Sequence, residues 1–370
     1  MYYINTMQLY TIFCPCSRNF CYKLFANTAK TVILLYIDIV FSKKGGMPLE
    51  TEYLFSSAEE KFCALSDFLS EQGLSVEEAP DFSVLLTENG KILATASLCE
   101  DVVKYFAVSA EIRGSGVSAA LLTEIKKYAL EKGISRLFLV TKPENRPLFE
   151  ELLFSEIAAA KNAVLMENPS GGIDEFLRSA KASSAAAPVG AIVMNANPFT
   201  KGHRYLIETA AKECGFVYVF VLSEEKSEFS AEERFSMVQK GTADLPNVRV
   251  LKTGRYLVSS ATFPTYFLKD RAKAGSAFCS LDAAVFAERF IPALGITRRY
   301  VGTEPFCPVT AEYNRVLGEV LPKAGCELIT IPRLELFGEA VSASRVRRLI
   351  AEGETKKAAG LLYNGGTTEK

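Results

Sequence analysis

The run Val189–Met194 (VGAIVM) carries no polar side chain, so a strand built from it must be buried on both faces. Strands of that kind belong to parallel sheets covered by helices on each side, and the chain downstream supplies the alternation such a sheet needs. A helix with Leu206, Ile207, Ala210, Ala211 and Cys214 as its apolar stripe follows. Then come a strand at 216–222, a helix at 231–240, and strands at 248–251, 300–302 and 327–331 with helices between them. The expectation is a Rossmann-like, doubly wound parallel sheet over residues 188–355, with 356–370 as a C-terminal tail.

The first half has a different pattern. Apolar residues 82–86 lead into Asn89-Gly90, a two-residue hairpin signal, and 91–98 returns antiparallel. A third strand covers 102–108. A helix with Val117, Ala120, Leu121, Ile125 and Tyr128 on one face then ends near Gly133, before a strand at 137–141. This reads as an α+β domain over 47–170. The breaker cluster Asn168-Pro169-Ser170-Gly171-Gly172 and the Ala/Ser-rich stretch 182–188 flank a short amphipathic helix at 173–181, so 171–187 is expected to be the linker. A length of 370 residues accommodates two such domains.

Residues 1–46 fit neither domain. The apolar run 31–41 is interrupted by Asp38 and falls short of the about 20 residues a spanning helix needs, so no membrane role is expected. Lys43-Lys44-Gly45-Gly46 precedes Met47 in the manner of a translated ribosome-binding site, and the stretch is expected to be a non-native extension. A formal net charge of -1 leaves no electrostatic footprint for nucleic acid. Nine cysteines without a paired Cys-x-x-Cys knuckle, beside a single histidine, argue for free thiols in a reducing cytoplasm and against a protein-bound metal centre.

That one histidine stands in Asn197-Pro198-Phe199-Thr200-Lys201-Gly202-His203, where the buried strand passes into a helix. In open α/β sheets ligands sit beyond the carboxyl ends of the strands, where helix N-termini offer free N–H groups to phosphates. An imidazole there donates to a phosphate oxygen and stabilises charge that develops at phosphorus. A nucleophilic triad would need this same histidine, and no G-x-S-x-G elbow accompanies it. A second helix start, Val341-Ser342-Ala343-Ser344-Arg345-Val346-Arg347, brings two hydroxyls and a guanidinium that suit phosphate. The same serines would serve as ordinary helix caps.

The two segments resemble the T/H-x-G-H and I-S-x-[ST]-x-[IV]-R motifs of the nucleotidylyltransferase superfamily, with Val341 in place of isoleucine. Asn195 to Thr200, Ala261-Thr262-Phe263-Pro264-Thr265-Tyr266-Phe267-Leu268-Lys269 and Gly302-Thr303-Glu304-Pro305-Phe306-Cys307-Pro308-Val309-Thr310 narrow the resemblance to the citrate (pro-3S)-lyase ligases. That resemblance implies an ATP-dependent ligase that turns acetate into acetyl-AMP with release of pyrophosphate. The acetyl group then passes to the CoA-like thiol of the citrate lyase acyl-carrier subunit. It implies catalytic roles for Thr200 and His203, ATP binding by Asn197, Phe199, Lys201, Gly202, Ser342, Ser344 and Arg347, and Mg²⁺ accompanying the triphosphate. Arg204 is a further phosphate candidate, Ser259, Ser260 and Thr262 are candidates for the acetate or ribose site, and Asp282 and Glu304 are possible polar contacts.

In the first domain Arg113-Gly114-Ser115-Gly116-Val117-Ser118 resembles the Q/R-x-x-G-x-G/A loop of GNAT acyltransferases, whose backbone amides cradle the pyrophosphate of CoA. Ser118 stands where glycine or alanine is usual. The expectation is that Arg113, Gly114, Ser115, Gly116 and Ser118 hold the CoA-like arm. Two other readings stay open at this point. One is an adenylyltransferase acting on a pantetheine or nicotinamide phosphate. The other is a CoA-binding acetyltransferase whose second domain senses nucleotide.

Overall fold

A computed structural model describes residues 22–23, 36–37 and 49–363, except 56–58, 77, 226, 260–270, 306 and 337. Tyr22–Lys23 (β1) and Tyr36–Ile37 (β2) form a short antiparallel pair. Glu50–Phe55 (β3), Phe82–Glu88 (β4), Lys91–Cys99 (β5) and Val102–Val108 (β6) make an antiparallel meander, and Glu59–Glu71 (α1) lies between the first two. The Asn89-Gly90 turn has φ of 51° and 76°, the left-handed pair that a tight hairpin needs. Val117–Glu131 (α2) leads to Leu137–Thr141 (β7), Arg146–Glu151 (α3), Ser155–Ala160 (β8) and Ala163–Asn168 (β9). The seven strands are ordered β3-β4-β5-β6-β7-β9-β8. Val117, Leu121, Leu122 and Ile125 of α2 pack on one face of this sheet with Val84, Leu93 and Leu139.

One departure from regularity matters for function. β6 and β7 are parallel but pair only at Val102↔Phe138. The β5–β6 register shifts between Thr95 and Ser97, and Tyr105 takes φ 52° at that bulge. A bulge bends its strand, and here β6 leaves β7 and a cleft opens between them.

The second domain is a five-stranded parallel sheet: Val189–Met194 (β10), Phe216–Val221 (β11), Val248–Lys252 (β12), Arg298–Gly302 (β13) and Glu327–Ile331 (β14). Its order is β12-β11-β10-β13-β14, so the winding reverses between β10 and β13. Lys201–Glu213 (α5), Ala231–Lys240 (α6), Arg271–Val285 (α7), Ile291–Leu294 (α8) and Pro308–Val320 (α9) connect the strands. A hairpin of Glu335–Leu336 (β15) and Glu339–Ala340 (β16) precedes Ala343–Ala351 (α10) and Thr355–Leu361 (α11). This is the α/β, doubly wound architecture the sequence pattern implies.

The junction carries the short helix expected there, and the C-terminal stretch is more ordered than expected. Within 171–187, Gly172–Ala180 (α4) buries Ile173, Leu177 and Ala180, and sets Phe176 against Tyr256 and Phe290 with ring centres 5.3 and 5.9 Å apart. Within 356–370, α11 packs on α10 through Ala358 and Leu361. The chain then returns Leu362 to a β-bridge with Thr200, and Tyr363 to an edge-on contact with Phe199. The run Thr-Lys-Lys-Ala-Ala-Gly-Leu gives α11 no apolar stripe of its own; tertiary contact makes it a helix.

The two domains share a core. A single apolar cluster runs from Leu54, Phe138 and Leu165 through α4 to Tyr256, Phe286 and Phe290. Glu167, 2% exposed, ties the junction: Oε1 accepts the N–H groups of Gly172 and Ile173 at the start of α4, and Oε2 accepts the Tyr256 hydroxyl at 3.0 Å. Glu167→Gln puts an amide donor where a donor already points. A loss of about 2 kcal/mol in urea unfolding is expected, whereas an unchanged midpoint would show that the junction does not depend on this carboxylate.

Candidate active site

β10 and β13 pair only at Gly190↔Arg298 and Ala191↔Arg299, then separate toward their carboxyl ends. The crevice between them is a cavity of about 420 Å³ at the switch point of the sheet. Two helix N-termini face it. Thr200 caps α5, its Oγ1 accepting the His203 N–H at 3.4 Å, and His203 Nδ1 accepts the Thr200 backbone N–H at 3.0 Å. With Nδ1 accepting, the proton of the neutral ring sits on Nε2. Burial, reinforced by the Arg333 charge, pushes this imidazole down to about 4, so at neutral pH it is an uncharged donor. Phe199 stacks on the ring at 5.8 Å and fixes its plane from beneath.

The second N-terminus is that of α10. Ser342 caps it by accepting the Arg345 N–H at 3.2 Å, and the Ser342 and Ser344 hydroxyls lie 3.1 Å apart on the cavity wall. Arg347 donates to the Asn197 carbonyl at 2.5 Å, so the late helix is fastened to the turn that carries the histidine. Gly202 makes room for this: a Cβ there would stand 3.1 Å from the Val341 carbonyl oxygen. The glycine expected among the ATP-binding residues lines the cavity and also admits the neighbouring motif.

The charge of the cavity is one-sided. Arg299, Arg333 and Arg347 line it against one carboxylate, Glu304, which already pairs with Arg333 at 2.5 Å. Arg333 Nε also donates to the Thr303 carbonyl at 2.7 Å. Behind the wall, Arg234 is wholly buried and braces the loops after β10 and β11, donating to the Asn195 carbonyl and side chain, to Leu222 O, and to Phe229 O. Such a space selects an anion with several oxygens.

Asn197, Thr200, Gly202, His203, Ser342, Ser344 and Arg347 therefore meet at one cavity. Two expected ATP-binding residues do not. Phe199 is 1% exposed and belongs to the core below the histidine, because its ring packs with Met194, Val219 and Tyr363. Lys201 turns outward and donates to the Gly360 carbonyl at 2.7 Å. Arg204 faces away as well, forked onto Asp244 at 2.7 and 2.6 Å. Ser259 donates to the Arg255 carbonyl; Ser260, Thr262 and the motif around them, 261–269, lie outside the described residues. Asp282 lies under the sheet, where it accepts the Val258 N–H and the Tyr313 hydroxyl. Arg299 and Arg333 escaped the sequence analysis because they belong to no motif. An arginine inside a strand covered on both faces was the available signal.

In the first domain, the diverging strands β6 and β7 open a cleft of about 720 Å³. Arg113, Gly114, Gly116 and Ser118 line it, while the Ser115 hydroxyl is turned to the Ile112 carbonyl at 2.6 Å. Gly114 and Gly116 hold φ of 76° and 81°, and a Cβ on either would meet nothing within 4 Å.

Comparison with known proteins decides the family. The chain is 37% identical over 313 residues to the citrate (pro-3S)-lyase ligase of Escherichia coli K12, covering 83% of this chain and 89% of that one. The relative from Klebsiella pneumoniae is 38% identical over 82% of this chain and 90% of its own, and that from Haemophilus influenzae 38% over 80% and 91%. This chain belongs to the citrate lyase ligase family. Residues 189–367 match the model of the citrate lyase ligase C-terminal domain, and 49–153 match the acetyltransferase (GNAT) family. The citrate lyase ligase match thus covers the cavity between β10 and β13, and the GNAT match covers the cleft between β6 and β7. Among the described residues no helix is long and apolar enough to cross a membrane.

The histidine makes a pH signature. Its folded value, about 4, lies below the ordinary 6.5, so the stability it contributes is complete above pH 6.5 and is lost as pH falls toward 4. The stability difference between wild type and His203→Gln is expected to shrink across that window in urea titrations. A difference independent of pH would contradict the buried neutral ring.

Proposed function

We propose that the cavity between β10 and β13 joins acetate to the α-phosphate of ATP, and that the cleft of the first domain receives the thiol arm to which the acetyl group moves. The observation that carries this reading is the convergence of two helix N-termini, one neutral imidazole and two exposed-edge guanidinium groups on one anion-sized space.

MgATP enters as substrate. Thr200 holds the histidine, and the Nε2–H of His203 donates to an α-phosphate oxygen, stabilising the charge that gathers as the pentacoordinate state forms. Ser342, Ser344, Arg347 and Arg333 receive the β- and γ-phosphates. An acetate oxygen attacks the α-phosphorus, the bond from that phosphorus to the bridging oxygen of the β-phosphate breaks, and pyrophosphate leaves. No proton moves in this step, which is why one neutral histidine suffices; positioning supplies the rate. The thiol of the CoA-like arm on the acyl-carrier subunit of citrate lyase then attacks the acetyl carbonyl. AMP leaves and one proton is released. The Mg²⁺ ion travels with the triphosphate oxygens. The domain limits that fit this division of labour are 47–170 and 188–355, with α11 and Tyr363 completing the second.

Exchange of labelled pyrophosphate into ATP tests both halves. Wild type is expected to exchange only with acetate present. Arg347→Met, which removes a phosphate ligand, should lower exchange at least tenfold. Gly114→Val and Gly116→Val, which put a β-branched residue at φ of 76° and 81° and so distort the loop that lines the cleft, should leave exchange intact and slow acetyl transfer to the carrier thiol. Exchange without acetate, or transfer unaffected by both valines, would overturn the respective half.

A further inference from the structure

Two arginines of the second domain are almost wholly buried, and their surroundings are opposite. Arg234, at 0% exposure, donates through all three of its nitrogens to backbone and side-chain oxygens. Arg299, at 2%, has Nε and Nη1 buried with no hydrogen-bond partner among the described residues. Its guanidinium lies 4.5 Å from the centre of the Phe286 ring. The carboxylate near enough to feel its charge, Asp282, has Oδ1 accepting the Val258 N–H at 2.6 Å and Oδ2 accepting the Tyr313 hydroxyl at 2.5 Å. A desolvated guanidinium with two nitrogens lacking an acceptor is unfavourable, and a bound anion relieves it.

The position of Arg299 says which anion. It lines the cavity, and its backbone pairs with Ala191 at the last register position before β10 and β13 part. Met194, where the strand gives way to the phosphate-facing turn, is three residues further along β10, about 10 Å at the rise of a strand. The polyphosphate ligands stand at the mouth: His203, Ser342, Ser344, Arg333 and Arg347. Arg299 is rooted in the floor, among Phe286 and Tyr313. A planar guanidinium fork matches a carboxylate in two parallel hydrogen bonds, and the aromatic surroundings suit a short apolar tail.

The geometry points to Arg299 as the floor of a short-chain carboxylate subsite, separate from the phosphate subsite at the mouth. This deepens the acetate-activating function proposed above and rests on it. Held by its two oxygens against Arg299, the acid stands below the α-phosphorus. One oxygen forms the new P–O bond as pyrophosphate departs, and the other, now the carbonyl oxygen of the mixed anhydride, keeps a guanidinium hydrogen bond through the attack of the thiol.

The test compares wild type, Arg299→Met and Arg299→Lys by three readouts: melting temperature with and without sodium acetate against sodium chloride of equal strength, ATP affinity by titration without acetate, and the acetate KM of pyrophosphate exchange. Without acetate, Arg299→Met is expected to melt no lower than wild type, since methionine replaces an unpaired buried charge. Acetate should raise the melting temperature of wild type but not of Arg299→Met. The acetate KM should rise at least thirtyfold in Arg299→Met and about tenfold in Arg299→Lys, which keeps the charge without the fork, while ATP affinity stays within twofold. If Arg299→Met fails to fold, the same comparison stands on Arg299→Lys. ATP affinity falling tenfold with acetate KM unchanged would make Arg299 a nucleotide ligand and overturn the subsite, as would equal acetate stabilisation of all three proteins. Acetate stabilisation confined to wild type, without any acetate-dependent exchange, would support the subsite and set aside the activation chemistry instead.

Discussion

The packing of the Val341 carbonyl against Gly202 is the contact on which the site depends. A Cβ at 202 would stand 3.1 Å from that oxygen, so the start of α10 would have to give by a few tenths of an ångström to keep its place beside α5. With hydrogen there, two helix N-termini separated by most of a domain in sequence share one cavity, and Arg347 bonds the two together through Asn197. Free N–H groups, partial positive charge and hydroxyls are then supplied from two directions at once. The capping interaction of Thr200 with His203 completes the arrangement: the bond that starts α5 also sets the tautomer that faces the ligand.

Both domains make their clefts by the same device. In each, two parallel neighbours pair at the base and then diverge: Val102↔Phe138 in the first sheet, Gly190↔Arg298 and Ala191↔Arg299 in the second. Separation of paired strands leaves backbone groups and inward side chains facing a space that packing does not fill. A Gly-rich or Ser-rich helix start then lines each opening. The shared apolar cluster and the Glu167 node hold the two sheets as one body.

Much of this was legible in the sequence where a period or a punctuation mark was present. The apolar run 189–194 declared a parallel strand, Asn89-Gly90 declared a hairpin, and the two motifs marked helix starts that do meet at one cavity. What escaped has physical reasons. α11 is a helix because Leu361 and Ala358 find a partner in α10, not because of its own pattern. Phe199 sits within a motif for the sake of the ring stacked above it rather than for a ligand. Arg204 looked like a phosphate ligand until Asp244, distant in sequence, claimed its fork. Arg299 had no motif at all; its meaning comes from a burial that the chain does not compensate.

The space between α5 and α10 is the proposed seat of the triphosphate. A crystal structure of the full chain with a non-hydrolysable ATP analogue tests this most directly. The expected result is an α-phosphate within hydrogen-bond distance of His203 Nε2, with the terminal phosphates between Ser342, Ser344 and Arg347. A triphosphate bound in the β6–β7 cleft, or held away from both helix N-termini, would contradict it.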